Sequence, residues 1–473
     1  MSRRGLTIWW AVAACVLVVA PEAGARAIAP DTLADELNAD GDCSLREALQ
    51  SANTNQAVDG CAKGKGGEPD VIKLTDSEYE LTLASSDEDL NANGDLDYTG
   101  GGPLVIRGPK PGGKISSNVA DRVLQAVDGA KSLSLERVQL EDGDAATLNP
   151  DNGGDLYVGE GSVRFDRVRL GLGSAPTGSG GGAFFSSDVP VRIDRSLIFS
   201  NEAIQGGGLN FLSDPGSRIT RTTFIENSAA TGAARGGAIA HFGKSLSISD
   251  SKFSSNHASS SGGGSALGGA IYGSDLDIRR SLFTGNDTSE TNEAGGADGG
   301  AIRTFENTRV TNTTFYGNES ADVGGAFRGG GKLSHVTFLS NSAEEGDHIA
   351  GNSTGSDLPL VVRNSILGGF LITLDPCAES VIISKGFNVA PSDDGDCSFR
   401  DSDLTDVSAA SMDEFPSDHG GATDTIAIDA DSPMRDLIPR RNCKPAQGED
   451  QRGYSRPAGK RCDAGSFEFK AKP

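Results

Sequence analysis

Between Gly181 and Asn341 the apolar and polar positions recur in one register. A Gly-Gly-small triplet opens each unit, at Gly181, Gly207, Gly236, Gly268, Gly299 and Gly324. An apolar-x-x-Asn tetrad closes it, ending at Asn201, Asn227, Asn256, Asn286, Asn318 and Asn341. Eight residues before each Asn stands an aliphatic: Ile193, Ile219, Ile248, Ile278, Val310 or Leu333. Three before it stands Ile198, Phe224, Phe253, Phe283, Phe315 or Phe338, and five before it Ser196, Thr222, Ser251, Ser281, Thr313 or Val336. The Asn-to-Asn steps are 26, 29, 30, 32 and 23 residues, and the length variation falls after the Asn.

A five-residue offset between two inward columns does not fit one straight strand, whose inward positions keep even spacing. It predicts two short strands with a bend between them. One unit holds too few large apolar residues for a core, but stacked units bury a continuous one. The pattern therefore predicts an all-β parallel solenoid, with coils about 4.8 Å apart and each Phe on the Phe of the next coil. Each Asn is expected at a corner, in an amide ladder, with a backbone that tolerates the left-handed region. The Gly pair fits a corner where a Cβ would clash. Irregular coils precede this block, at Leu135 with Leu140 and Phe165 with Leu170, and Val362 with Leu367 begins one more after it.

The first 27 residues read as a secretion signal: Arg3 and Arg4, an apolar run from Leu6 to Ala20, and Ala25-Arg26-Ala27 as the cleavage site. Val12-Ala13-Ala14-Cys15 also has the form of a lipobox, the alternative fate of that segment. Removing the signal takes 42 basic and 66 acidic residues to 39 and 65, a net of −26. Such a surface argues against nucleic acid and anionic membranes. Cys43, Cys61, Cys377, Cys397, Cys443 and Cys462 remain, an even number that suggests disulfides in a secreted chain. Sequence neighbours are the simplest of the possible pairings. None of the six lies in the repeat block, and no Cys-x-x-Cys supports a zinc site.

Ser44 and Glu47 form a capping box before the stripe Leu45, Ala48, Leu49 and Ala52, which predicts a short amphipathic helix over the open end of the solenoid. Asp89, Asn91, Asn93 and Asp97 have the alternate-residue spacing of a calcium loop, with Gly94 at the turn. Gly100 stands where the last acidic ligand belongs, so a solvated acidic turn is the other reading.

Cys43-Ser44-Leu45-Arg46-Glu47-Ala48-Leu49 resembles the motif that names the CSLREAL domain of secreted bacterial proteins. Asn91–Asp97 and Leu104–Gly108 resemble the next element of those proteins. Ser384–Asn388, Gly420–Thr423, Ser432-Pro433, Asp450–Gly453, Arg456-Pro457 and Cys462–Gly465 resemble the choice-of-anchor Q domain, with Met434-Arg435 departing from its usual residues. The Gly-Gly-Ala and Phe-x-x-Asn pairing resembles the repeats of chlamydial polymorphic outer membrane proteins. These resemblances imply a right-handed parallel β-helix of the pectin lyase kind and exposure at the outer surface of a bacterium. They divide the chain into a signal (1–27), an N-terminal cap (28–102), a β-helix (103–375) and a C-terminal domain (376–473). No β-barrel translocator is expected in the 132 residues after Asn341.

A lyase or hydrolase on this scaffold would need clustered carboxylates with a base nearby. Asp250 and Asp393-Asp394 stand isolated, and none of the 5 histidines accompanies an Asp pair in a repeat position. Arg192, Arg218, Arg279 and Arg309 fall beside the aliphatic column and should point outward, as a solubilising face or a stripe for acidic glycans. With both tryptophans in the signal and only 6 tyrosines, an aromatic platform for sugars is poorly supplied. The expectation is a monomeric, extracellular, non-catalytic protein that adheres, binds a glycan or protein ligand, or serves as structure. It has no transmembrane span. A glycan-active enzyme is the alternative.

Overall fold

The structure, a computed structural model, describes residues 27–470 apart from 85–87, 128, 149, 292–294, 306, 353–357, 370–374, 379–381, 393–394 and 445–447. The expected signal, its Cys15, and Asp393-Asp394 lie outside the described residues. The chain is a parallel β-helix. Its strands form a 22-stranded, an 11-stranded and a 9-stranded sheet, and neighbouring strands within them run parallel.

One coil shows the path. Ile239–His241 joins the 11-stranded sheet, Leu246–Ser249 and Lys252–Ser254 join the long sheet, and His257–Ser260 with Ala266–Leu267 joins the third. The bend between the two long-sheet strands is Asp250, in the left-handed region at φ 56°. That bend accounts for the five-residue offset.

The aliphatic column is in register from coil to coil, Ile219 on Ile248, Ile278, Val310 and Leu333. The Phe column stacks face to face. Centroids are 4.7 Å apart for Phe224–Phe253, 4.6 Å for Phe253–Phe283, 4.8 Å for Phe283–Phe315 and 4.9 Å for Phe315–Phe338, with interplanar angles of 1° to 13°. Coil spacing forces this offset stack, which aromatic quadrupoles favour over a perfect sandwich.

The asparagines form the ladder. From Asn227 onward each Asn offers Oδ1 to the backbone N–H and the side-chain amide of the preceding Asn, and its own Nδ2 reaches a carbonyl of the preceding coil, that of Ile198 for Asn227 and of a Phe thereafter. For Asn256 these distances are 3.1 Å from Asn227 N, 2.9 Å from Asn227 Nδ2, and 3.2 Å to Phe224 O. The left-handed residue is the one before the Asn, Ser200, Glu226, Ser255, Gly285, Gly317 or Ser340, and not the Asn itself. The corner bends one position early, so the Asn side chain enters the core while its neighbour faces solvent.

A second ladder uses the hydroxyl column: Thr222 N donates to Ser251 Oγ at 3.2 Å and Ser251 N to Ser281 Oγ at 3.3 Å. The register also shifts the opening triplet in the first two units. Ala183 and Leu209 align with Ile239 rather than Ala238, so Gly180-Gly181-Gly182 and Gly206-Gly207-Gly208 match Gly236-Gly237-Ala238. At Gly237 a Cβ would stand 2.3 Å from Gly269 O of the next coil, which explains the glycine.

Strands begin at Ala27–Ile28, paired with Asp70–Lys73, and the long sheet runs on to Ile382–Ser384. Helix α1, Leu45–Thr54, carries the predicted capping box, and its stripe enters the main core. The disulfides join sequence neighbours: Cys43–Cys61, Cys377–Cys397 and Cys443–Cys462. Three such bonds are consistent with a chain folded in an oxidising, extracellular compartment. From Leu404 onward the chain has few strands of its own. It wraps a second core, including Ile426, Met434 and Ile438, against Leu339 and Ile366 of the β-helix. Among the described residues no helix is long and apolar enough to cross a membrane.

Candidate functional site

The segment with calcium-loop spacing closes on its own hydrogen bonds. Asn91 N donates to Asp97 Oδ2 at 2.7 Å, and Asp97 N to Asn91 Oδ1 at 3.3 Å. Gln125 Nε2, from the next coil, donates to Asp97 Oδ1 at 2.8 Å and also reaches Asp89 Oδ1. The N–H of Asn93 is taken by Glu88, at 2.8 Å. An ion at this place would have to displace these bonds. Among the described residues, the three-carboxylate groups close enough to share an ion lie earlier in the chain, around the start of α1: Glu36, Asp40 and Asp42, and Asp42, Glu47 and Asp59.

Asp97 is nonetheless unusual. Burial pushes its carboxyl up to about 7, and the charges of Glu88 and Asp89 add to the shift. Asp95, beside it and buried, is pushed well above the carboxylate range by burial and then by Asp97 and Asp121. Asp155, also raised by burial, gives Oδ1 to Gly143 N at 3.0 Å. This carboxyl meets the N–H of a corner that has glycine in place of the ladder Asn.

An acid whose pKa rises on folding supports the fold while it is protonated. For Asp97 that support is complete below its ordinary value of 3.8 and is lost as pH rises through about 7. Asp97→Asn removes the titration. The stability of the variant relative to the parent should therefore rise from pH 3.8 to about 7 and level off above. Urea-denaturation midpoints of both proteins at spaced pH values check this. A relative stability that is flat or falls would overturn it.

On the long sheet the expected arginines face outward, and the carboxylates there are met mainly by other arginines, at the bend. Arg195 and Arg221 hold Asp194 at 2.8 and 2.7 Å, and Arg280 holds Asp250 at 2.8 Å. Arg192 and Arg218 are in register, with Arg309 further along the same column. Arg279 lies one column over and pairs with Asp277.

Fold geometry also makes His–Asp pairs that sequence spacing hides. His241 Nε2 meets Asp214 Oδ1 at 2.7 Å, fully buried. His257 Nδ1 meets Asp287 Oδ2 at 2.6 Å, with Ser289 Oγ 3.5 Å from Nε2. The latter three have the order of a hydrolase relay. They stand on an open strand face, side chains 35% and 40% exposed for His257 and Asp287, where strand pairing takes up the backbone amides that an oxyanion hole would need.

The outer face of the 11-stranded sheet is the surface that sequence reasoning missed. Residues alternate along each short strand, and the middle one points away from the core. In register these are Asp97, Gln125, Tyr157, Phe184 and Asn210, continuing through Ala240 to Tyr272 and Arg303. Tyr157 and Phe184 stack at 5.5 Å, under Arg122. Phe242, Tyr272 and Phe305 form a ridge with centroid distances of 5.7 and 5.4 Å, flanked by Arg235 over Tyr272 and Arg303 over Phe305. Phe242 and Phe305 are 38% and 37% exposed. Asn210, in the same row, is buried, and its Oδ1 has no partner among the described residues. The expectation of a poor aromatic supply counted Trp and Tyr. Most of these rings are Phe, and only the register puts them in one row.

No protein-family model matches the chain, and no curated protein does. Among solved structures, the crystal structure of pectate lyase Pel9A is similar over 94% of this chain and 96% of that one, with 12% identity and a TM-score of 0.45. At that score the likeness adds nothing to what the strand ladders show.

Proposed function

We propose that this is a secreted, extracellular β-helix protein with a non-catalytic role in binding. The observation that carries the reading is the aromatic and guanidinium row on the outer face of the 11-stranded sheet. Its exposed part is Phe242 and Phe305, packed on buried Tyr272 with Arg235 and Arg303 alongside, a combination that suits a glycan or a protein surface. The long-sheet carboxylates Asp194 and Asp250 are engaged by arginines, and Asp97 by Gln125 and Asn91. None of these presents the open pair of acids that glycoside hydrolysis requires.

The test is a binding screen of the secreted chain against glycans and envelope proteins, with analysis of each glycan for cleavage. A ligand bound intact, and bound at least about tenfold more weakly by Phe242→Ala with Phe305→Ala, is the expected result. New reducing ends or unsaturated sugars would overturn it.

One observation favours the enzymatic alternative. Asp97, titrating at about 7, lies at one end of the same row, with Asp89 on Gln125 and Arg122 Nη1 3.3 Å from Gln125 Oε1. If that reading holds, Asp97→Asn abolishes product formation.

A further inference from the structure

The outward column that carries Arg192 and Arg218 passes Ser247 and Asp277 and becomes basic again at Arg309 and Lys332. The two runs differ in their surroundings. The first is flanked on the same face by Asp166 and Asp194. The second is flanked by Thr311 and Ser334, then by Arg363 and Lys385.

Here the C-terminal segment closes over the sheet. Arg363 Nη2 donates to Asn442 O at 3.4 Å, and Asn364 Nδ2 to the same carbonyl at 3.0 Å. What remains is a crevice of two abutting hollows, ≈ 540 and ≈ 390 Å³, that share Arg309, Lys332 and Val361. Its far lip is apolar, formed by Leu358, 44% exposed, and Pro359.

The chain has 66 acidic residues, yet among the described residues none pairs with Arg309, Lys332, Arg363 or Lys385. The nearest carboxylate in register, Asp277 beside Arg309, is held by Arg279. Arg363 Nε is buried without a partner. Burial pulls the Arg363 pKa down, the direction expected of a cation with no counterion. Four cations brought together at a domain junction repel one another until an anion enters.

We propose that this crevice binds an acidic saccharide: a short oligosaccharide bearing carboxylate or sulfate groups. The cations take the acid groups. Thr311 and Ser334 lie between them as hydroxyl-bearing floor, and the lip of Leu358, Pro359 and Val361 faces the C–H side of a sugar ring. Coils about 4.8 Å apart place the cations on the scale of one sugar unit. An inorganic anion would leave the lip unused. A nucleic acid would find no ring in the crevice lining on which a base could stack. The crevice is a site apart from the aromatic row, and its assignment holds whether or not the bound sugar is also cleaved.

The test is calorimetric titration of the full secreted chain with trigalacturonate and with a sulfated disaccharide. Maltotriose, an acidic peptide and a short single-stranded oligonucleotide are the comparisons. At least one of the two acidic sugars should bind, more weakly as salt rises, and maltotriose should not. Arg309→Gln with Lys332→Gln should weaken binding at least about tenfold. Arg192→Gln with Arg218→Gln removes the same charge from the same column outside the crevice, and should change it by less than about twofold. Both are surface changes, and unchanged denaturation midpoints confirm the fold.

Equal weakening by the two double variants, tight binding of maltotriose, or binding of the peptide or oligonucleotide alone would overturn the proposal. Sugars that are bound and cleaved overturn the non-catalytic reading and leave the crevice assignment standing. Acidic sugars left intact and unbound overturn the crevice and leave that reading untouched.

Discussion

Arg46→Met should destabilise the N-terminal end of the solenoid by about 3–5 kcal/mol, the range for a buried ion pair that loses one member. Arg46 is fully buried in helix α1. Its Nε and Nη2 meet the two oxygens of Asp35 at 2.8 and 3.2 Å, while Nη1 and Nη2 donate to the carbonyls of Asp95 and Gly94 at 2.7 and 2.8 Å. One side chain thus ties the leading segment, the helix and the turn before Leu96–Tyr98. Methionine fills much of the volume and leaves Asp35 and two carbonyls without that donor. Among the described residues Asp35 keeps only the N–H groups of Thr82 and Leu83, at 2.7 and 2.9 Å.

In a stacked fold the loss should stay local, because each coil contacts mainly its neighbours. Hydrogen exchange should speed up through α1 and the first coils and stay unchanged around Asn286. Limited proteolysis should cut first near the cap. Adding Asp35→Asn should cost less than the sum of the single changes, since the two residues interact. A loss under about 1 kcal/mol, or opening spread evenly along the chain, would show that Arg46 is not the tie described.

The solenoid was legible because its physics repeats. A Phe at a fixed offset from an Asn, coil after coil, has only one way to be buried, and ring-on-ring stacking of Phe224 through Phe338 follows from the coil spacing. The helix was legible for a local reason: Ser44 and Glu47 satisfy each other's backbone N–H groups whatever lies beyond. Two details were not. The left-handed corner falls on the residue before each Asn, a position with no consistent residue type: Ser, Glu or Gly. The opening triplet slips by one in the first two units, because Gly180 and Gly206 precede further glycines and only strand pairing fixes which one turns.

The candidate sites were harder for a different reason. Spacing along one strand shows Arg192 and Arg309 pointing outward. It cannot show that Asp194 stands beside the first run and that Arg363 and Lys385 join the second. The aromatic row needs the same knowledge, since Tyr272 and Phe305 are 33 residues apart in sequence but 5.4 Å apart in space. The segment with calcium-loop spacing is the converse case. Its alternation is real, but it serves the mutual bonds of Asn91 and Asp97.

Asn256→Leu should cost about 3–5 kcal/mol, from a side chain that keeps no surface to speak of. Asn256 accepts from Asn227 N and Nδ2 at 3.1 and 2.9 Å, and donates to Phe224 O and Asn286 Oδ1 at 3.2 and 2.9 Å. Leucine is close in size and cannot make any of the four. Asn227 Nδ2 retains Ile198 O at 3.0 Å, and Asn286 Oδ1 retains Asn256 N at 3.1 Å, so those two are partly compensated. Asn227 N and Phe224 O lose this partner in the interior, at about 1–3 kcal/mol each. The effect should depend on position along the ladder. Asn341 closes it and has no following Asn in the stack; its Nδ2 reaches Phe315 O at 3.2 Å and His348 Nδ1 at 3.5 Å. Asn341→Leu should therefore cost less than Asn256→Leu, though Asn318 still loses its acceptor there. Asn256→Asp keeps the one acceptor oxygen, puts a second oxygen where the two N–H donors were and buries a charge, so its penalty should shrink as pH falls and the carboxyl protonates. Chemical denaturation of the three variants, read by far-ultraviolet circular dichroism with hydrogen exchange to locate the opening, measures all of this. If Asn256→Leu and Asn341→Leu cost the same, the asparagines contribute singly and not as a ladder.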